Sequence, residues 1–189
     1  FYMKKLKTFE FMEEFDHEQV VYFYDKNTGL KGITAIHNTD LGPALGGTRL
    51  WDYKTEEEAL LDVIRLSRGM TYKAAVAGLN LGGGKTVLIG NPKKVKSEAY
   101  FRELGRFVQS LNGRYITAED VNTSTSDMGY VAMETDHVVG LHGKSGNPSP
   151  FTALGALCSI RAALKEKFGD SSINGKTFAV QGAGQTGYY

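Results

Sequence analysis

The amino-acid sequence predicts an α/β fold. Strand-like and helix-like segments alternate along the chain, the pattern of sheets covered by helices. The strand-like runs are short and bounded by turn residues, whereas the helical runs carry apolar residues at 3.6-residue spacing. With 189 residues, 41% hydrophobic and 23% charged, the composition is that of a globular chain holding one large domain or two small ones.

Residues 8–15 (TFEFMEEF) read as a short helix. Residues 19–25 (QVVYFYD) are β-rich, and the turn signal Lys26-Asn27-Thr28-Gly29 joins them to a second run, Gly32–His37, so a hairpin is expected. Residues 41–49 (LGPALGGTR) read as a Gly/Pro loop with little regular structure. Thr55 before Glu56-Glu57-Glu58 marks a helix start, and Leu60, Leu61, Val63, Ile64, Leu66 and Met70 continue it. Residues 77–85 (AGLNLGGGK) break that helix and lead to a strand at 86–90. Ser97–Leu111 repeats the amphipathic pattern and stops at Asn112-Gly113. Tyr115–Thr117 is a short strand, 125–134 a helix, and 136–140 (DHVVG) strand-like. Gly143–Pro150 has linker composition, Phe151–Phe168 is helical, and 176–181 (KTFAVQ) is a strand running into Gly182-Ala183-Gly184-Gln185-Thr186-Gly187.

Charge excludes some partners. The 22 basic and 21 acidic side chains nearly cancel, so no bulk field draws the chain to nucleic acid or an anionic membrane. No run approaches the ~18 apolar residues of a membrane span, and residues 1–15 have no apolar stretch typical of a secretory signal. Cys158 is the single cysteine, which favours a reducing compartment, and the expected location is the cytoplasm. Met3 reads as the natural start, with Phe1 and Tyr2 upstream of it. The four histidines and Cys158 show no metal-ligand spacing, so no metal is expected and the histidines read as structural. Glycine is in excess, at 23 of 189 residues against a usual ~7%, and it is clustered.

Those clusters carry the chemistry. Gly182, Gly184 and Gly187 form a G-x-G-x-x-G turn after a strand-like run, the arrangement that brings backbone and a helix N-terminus to a dinucleotide pyrophosphate. A plain glycine turn fits the motif equally well on its own. Residues 69–86 (GMTYKAAVAGLNLGGGKT) hold Lys73 and Lys85 among small apolar residues. Burying an ammonium costs several kcal/mol unless it is paired or neutral. One lysine could therefore bind an anion while the other, its pKa lowered, moves protons; the alternative is that both snorkel to solvent. Gly82-Gly83-Gly84 would leave backbone N–H groups bare for a ligand. The GGGKT string is not a P-loop, because the G-x-x-x-x-G-K frame is missing its first glycine. Asp120, after a short strand, suits acid/base work or a helix N-cap. In Leu45-Gly46-Gly47-Thr48-Arg49 the two glycines could admit a carboxylate or simply make a tight turn.

Together GPALGGTR, GMTYKAAVAGLNLGGGKT, GRYITAEDV, SGNPSP and GAGQTG resemble the Glu/Leu/Phe/Val dehydrogenase family, from about residue 10 to the end and in the family's order. The phrases AGLNLGGGK and GPALGGTR are most similar to its leucine-oxidising branch. The resemblance implies a substrate-binding domain with a mixed sheet flanked by helices (1–142), then the truncated start of a Rossmann dinucleotide-binding domain (143–189). It implies an oxidoreductase that uses NAD to deaminate a branched-chain L-amino acid, L-leucine foremost, to the 2-oxo acid and ammonia. By position, Lys73 would bind the substrate carboxylate with the Gly46-Gly47 backbone, and Lys85 and Asp120 would be catalytic. Leu45 and Ala118 would line the side-chain pocket. Asn147, Pro148 and Thr152 would lie near the cofactor, and Gly182, Gly184 and Gly187 would hold its pyrophosphate. A homo-oligomer is implied as well.

Two local departures stand out: Asn122 occupies a position where the family usually has glycine, and Gly140–Gly146 is shorter than usual. Family members also continue through a whole nucleotide-binding domain, so the chain reads as a fragment whose residues beyond about 145 need a covering partner. An alternative reading, of another class, is a non-catalytic amino-acid-binding or oligomerisation domain without a working cofactor site.

Overall fold

A computed structural model describes residues 8–189. It divides into two compact units, one running to Lys144 and the other spanning Ser145–Tyr189.

The first unit is a mixed five-stranded sheet with helices on both faces. Its strands are β1 (Gln19–Tyr24), β2 (Lys31–Asn38), β3 (Ala44–Trp51), β4 (Gly82–Ile89) and β5 (Tyr115–Glu119), in the order β1-β2-β4-β3-β5. The helices are α1 (Thr8–Phe15), α2 (Glu56–Val76), α3 (Pro92–Val95), α4 (Glu98–Ser110) and α5 (Thr125–Val131). The β1–β2 hairpin is antiparallel. Its turn is held by the Asp25 carboxylate, which accepts from the backbone N–H groups of Asn27 and Thr28 at 3.1 and 2.7 Å, and Gly29 supplies the left-handed residue at φ 70°. β2 runs antiparallel to β4, while β3 runs parallel to both β4 and β5.

Both faces of the sheet are buried. On one, Ile33, Ala35 and Val87 pack against Ala59, Leu60, Val63 and Ile64 of α2. On the other, Ile36, Leu50, Leu88 and Tyr115 meet Tyr100, Phe101 and Leu104 of α4 and Met128 and Val131 of α5. Each Val, Leu, Ile, Phe and Met among them contributes about 1.5–3 kcal/mol of burial. Capping fixes where the helices start: Thr55 and Ser97 accept from the N–H groups of Glu58 and Tyr100 at 3.1 and 3.2 Å.

Several expectations change. Residues 44–51 are not a loop but a central strand, inserted between β4 and β5. Its glycines are there for close approach: a Cβ on Gly46 would lie 1.6 Å from the Gly84 carbonyl oxygen. β4 likewise begins at Gly82 rather than residue 86. Its three glycines pair with Ala44, Leu45, Ile36 and Asn38 on the neighbouring strands, so they are not a bare ligand cradle. A Cβ on Gly83 would come 2.2 Å from the Thr71 hydroxyl, which is how closely α2 lies on the strand. Helix α5 stops at Val131, and the 136–140 run supplies only a parallel bridge from Val138 to Thr117.

In the second unit, α6 (Ser149–Phe168) ends at Gly169 in the left-handed conformation, φ 74°. A four-residue helix, α7 (Gln185–Tyr188), follows the glycine motif. Residues 176–181 form no strand, because no neighbouring strand is present within the unit to take their hydrogen bonds. Among the described residues, no helix is long and apolar enough to cross a membrane.

Candidate active site

Lys85 occupies the middle of β4, opposite Ala35 of β2. Strand alternation turns it to the α2 side, the face it shares with Val87. The parallel register continues the row across Gly47 of β3 to Ala118 of β5. Asp120 follows immediately after β5. Gly47 makes room for it, since a Cβ there would fall 2.9 Å from the Asp120 Cβ.

Asp120 is held on both oxygens. Lys85 Nζ lies 2.8 Å from its Oδ1, and Arg49 Nε donates to its Oδ2 at 2.9 Å. Arg49 is anchored in turn by Asp62 of α2, whose Oδ2 accepts from Nη1 at 3.0 Å and from the Tyr53 hydroxyl at 2.6 Å. The Asp120 backbone is pinned too: its N–H donates to Thr123 Oγ1 at 2.8 Å, and that hydroxyl donates to the Thr48 carbonyl at 2.9 Å. Asn122, the apparent departure, sits at φ 60° and donates from Nδ2 to the Leu50 carbonyl at 2.9 Å. Asparagine tolerates the left-handed region better than other non-glycine residues, so the backbone conformation that favours glycine survives.

Burial divides the ion pair unevenly. The Lys85 side chain is only 5% exposed, against 24% for Asp120. Burial pushes the Lys85 ammonium below the usual lysine range; Asp120 opposes this, and the charges of Arg49 and Lys73 add to it. Burial pushes Asp120 upward, but Lys85 foremost, then the Val121 backbone N–H and Arg49, outweigh it and hold the carboxyl below its ordinary value. The result is a buried amine that gives up its proton more readily than a free lysine, beside a carboxylate held in its ionised form, a pair suited to moving protons.

The other residues singled out in the first unit lie on the same elements. Lys73 is exposed on the last turns of α2. Leu45 and Ala118 are half-buried on β3 and β5, and Gly46 and Gly47 are buried between them. In the second unit, Asn147 Nδ2 donates to Gln185 Oε1 at 2.7 Å and its Oδ1 accepts from Ser149 N–H at 2.8 Å. Pro148 caps α6, and Thr152 Oγ1 donates to the Pro148 carbonyl at 3.1 Å. Gly182 has φ 87°, Gly184 caps α7, and a Cβ on Gly187 would meet the Gly182 carbonyl oxygen at 2.2 Å. That turn therefore closes only with glycine at its third position. Sequence reasoning missed Arg49, Tyr53, Asp62 and Thr123. Reading LGGTR as a strand would have exposed Arg49, but its partner Asp120 is too distant in sequence for any local pattern to reveal.

A sequence profile described as "Glu/Leu/Phe/Val dehydrogenase, dimerisation domain" matches residues 17–137. The leucine dehydrogenases of Geobacillus stearothermophilus and Bacillus subtilis (strain 168) are 59% and 57% identical to the chain, each match covering 97% of the chain and 51% of the relative. The crystal structure of L-tryptophan dehydrogenase from Nostoc punctiforme superposes with a TM-score of 0.73 at 47% identity, covering 95% of the chain and 51% of that protein. A hetero-hexameric glutamate dehydrogenase from Thermus thermophilus shares the fold at TM-score 0.74 and 23% identity. The chain thus spans about half the length of the relatives it matches. On the profile match, the sequence identities and the shared fold, the chain belongs to the Glu/Leu/Phe/Val dehydrogenase family.

Proposed function

We propose that this chain supplies the substrate-binding and proton-transfer half of a longer cytoplasmic, homo-oligomeric enzyme that oxidatively deaminates a branched-chain L-amino acid, L-leucine foremost. The observation that carries the reading is the buried Lys85–Asp120 pair at 2.8 Å, set in a chain 59% identical to a leucine dehydrogenase.

Lys73, exposed and cationic at the end of α2, binds the substrate carboxylate beside the Gly46-Gly47 strand. Leu45 and Ala118 face the substrate side chain. Lys85, depressed by burial, is neutral over more of the alkaline range than a free lysine and takes protons from the substrate amine and the attacking water. Asp120 stays anionic and stabilises the Lys85 ammonium that forms. The iminium formed at Cα then yields the 2-oxo acid and ammonia.

The cofactor of this reading is NAD. The turn at Gly182, Gly184 and Gly187 suits a pyrophosphate, since it closes only without a side chain at its third position. Asn147, Pro148 and Thr152 at the start of α6 would face the nicotinamide end of the dinucleotide. Bound NAD would supply the hydride acceptor.

The test is reduction of NAD on addition of L-leucine, by the chain as given and by a protein extended to the relatives' full length. Lys85→Ala in the extended protein is expected to lower kcat/KM by about 10²–10⁴-fold. Wild-type kcat should rise with pH through a midpoint below the usual lysine value. Loss of turnover with retained L-leucine binding in the extended wild type would favour the amino-acid-binding reading. Full activity of the alanine variant would remove Lys85 from the mechanism.

A further inference from the structure

Asp120 uses one oxygen for Lys85 and the other for Arg49. Arg49 is not a lone surface charge. Its guanidinium bridges two carboxylates, Asp120 after β5 and Asp62 of α2, and Tyr53 completes the cluster by donating to the same Asp62 oxygen. These four side chains come from three separate stretches of the chain. We propose that Arg49 is a positioning residue for the Lys85–Asp120 pair: it holds Asp120 Oδ2, so that the carboxylate meets Lys85 through Oδ1 alone, and draws part of its negative charge away from the lysine. This rests on the reading of Lys85 and Asp120 as the proton-transfer pair.

The geometry explains why arginine stands there. One planar guanidinium offers Nε to Asp120 and Nη1 to Asp62 at 2.9 and 3.0 Å. A lysine ammonium is a point charge on a flexible stem and cannot present two fixed, diverging donors. With Nη1 on Asp62, which Tyr53 holds in turn, Arg49 has one seat. The charged groups acting on Lys85 are Asp120 from the end of β5, Arg49 from β3 and Lys73 from α2. Asp120 favours the ammonium; Arg49 and Lys73 oppose it. Without Arg49, Asp120 can turn fully to Lys85 and one opposing cation is gone. Both consequences stabilise the ammonium and move the lysine's titration to higher pH. An arginine serving only to tie β3 to α2 would not move that titration in a fixed direction.

The experiment follows the Lys85 Nζ and Cε resonances by NMR in this chain, labelled with ¹³C and ¹⁵N at lysine, as a function of pH. Lys85→Arg serves for assignment. Arg49→Gln is expected to raise the Lys85 midpoint by about half a pH unit or more, and a midpoint unchanged or lowered overturns the proposal. If Arg49→Gln does not fold, Arg49→Lys asks the same question. It keeps a charge but loses the fork, so a smaller rise is expected and an unchanged midpoint overturns the proposal. Asp120→Asn keeps the two failures apart, because removal of the facing anion must lower the Lys85 midpoint. If Asp120→Asn has no effect, the proton-transfer pair itself fails. If Asp120→Asn lowers the midpoint while the Arg49 variants leave it alone, the pair stands and only the role of Arg49 is lost.

Discussion

Strand β4 and residues 176–181 both contain strand-like sequence, yet only β4 is a strand. Helices α2 and α6 are of nearly equal length, 21 and 20 residues, and both form. The two pairs separate what is local from what is not. A helix closes its own hydrogen bonds, so α6 exists although Leu164 is the one buried residue along it. A strand must borrow its bonds from neighbours. β4 has β2 on one edge and β3 on the other, whereas 176–181 has no strand beside it within its own unit. Burial follows the same division: α2 buries Ala59, Leu60, Val63, Ile64, Ser67 and Ala74, while Phe151, Leu154 and Phe168 of α6 are exposed.

The sharpest way to break this comparison is to truncate one large side chain on each side of it. Phe101 of α4 is fully buried in the cluster that α4 forms with the sheet and α5, so Phe101→Ala is expected to cost about 3–5 kcal/mol of stability. Phe151 on α6 is 72% exposed, and Phe151→Ala should stay within about 0.5 kcal/mol. Urea unfolding of the two variants measures both. A penalty at Phe151 approaching that at Phe101 would mean that α6 buries a surface in solution that this structure leaves open.

Legibility in the sequence follows the same rule. The hairpin, α2, α4 and the cap residue Thr55 were readable, because each depends on residues within a few positions of one another. Strand β3 was not. Gly46 and Gly47 carry no strand propensity, and the reason for them, the closeness of Gly84 and Asp120, lies on other elements. The 136–140 run had the right composition but forms only a single bridge, Val138 opposite Thr117, with the His137 carbonyl and the Val139 N–H bonded to Thr117. Lys85 and Asp120 were legible as residue types, through a lysine on an apolar stretch and a carboxylate at a strand end, and the structure brings them together. Arg49 was not, since its meaning depends on Asp62 and Asp120, contributed by other parts of the fold.

A second, smaller effect tests how the first unit ties its distant pieces together. His17 is buried; its Nε2 lies 2.8 Å from Ser67 Oγ and 3.1 Å from the Ile64 carbonyl oxygen, both on α2. Its ring packs edge-on against His37 at 4.8 Å, and His37 Nδ1 reaches Thr71 Oγ1 at 2.8 Å. Burial, with the neighbouring His37 next, lowers the His17 pKa from 6.5 to about 4. The unfolded chain therefore takes up this proton as pH falls through 6.5, and the folded chain does not until about pH 4. Stability from this group is complete above pH 6.5 and falls through that window, by about 3 kcal/mol at its foot. Asp16, Glu18 and Arg68 surround the pair, so the quantity to measure is a difference. Urea midpoints of wild type and His17→Gln, followed from pH 7 to pH 4, should converge as the wild type weakens. Parallel curves would show that His17 is not the group responsible.

The smallest effect lies in the turn that delivers Asp120. Asn122 holds a left-handed backbone and also gives the Leu50 carbonyl a hydrogen bond across to β3. The first property is local and the second is not, so two substitutions separate them. Asn122→Ala loses the bond and strains the backbone, an expected cost of about 1–2 kcal/mol. Asn122→Gly relieves the strain and loses only the bond, for about 0.5–1 kcal/mol. The order alanine worse than glycine, read from urea midpoints, assigns the position to its backbone conformation first. If glycine proved equal to alanine, the cross-strand bond alone would hold this turn. Asp120 would then be fixed in place by the contact with β3, in the way that β4 is fixed by its neighbours.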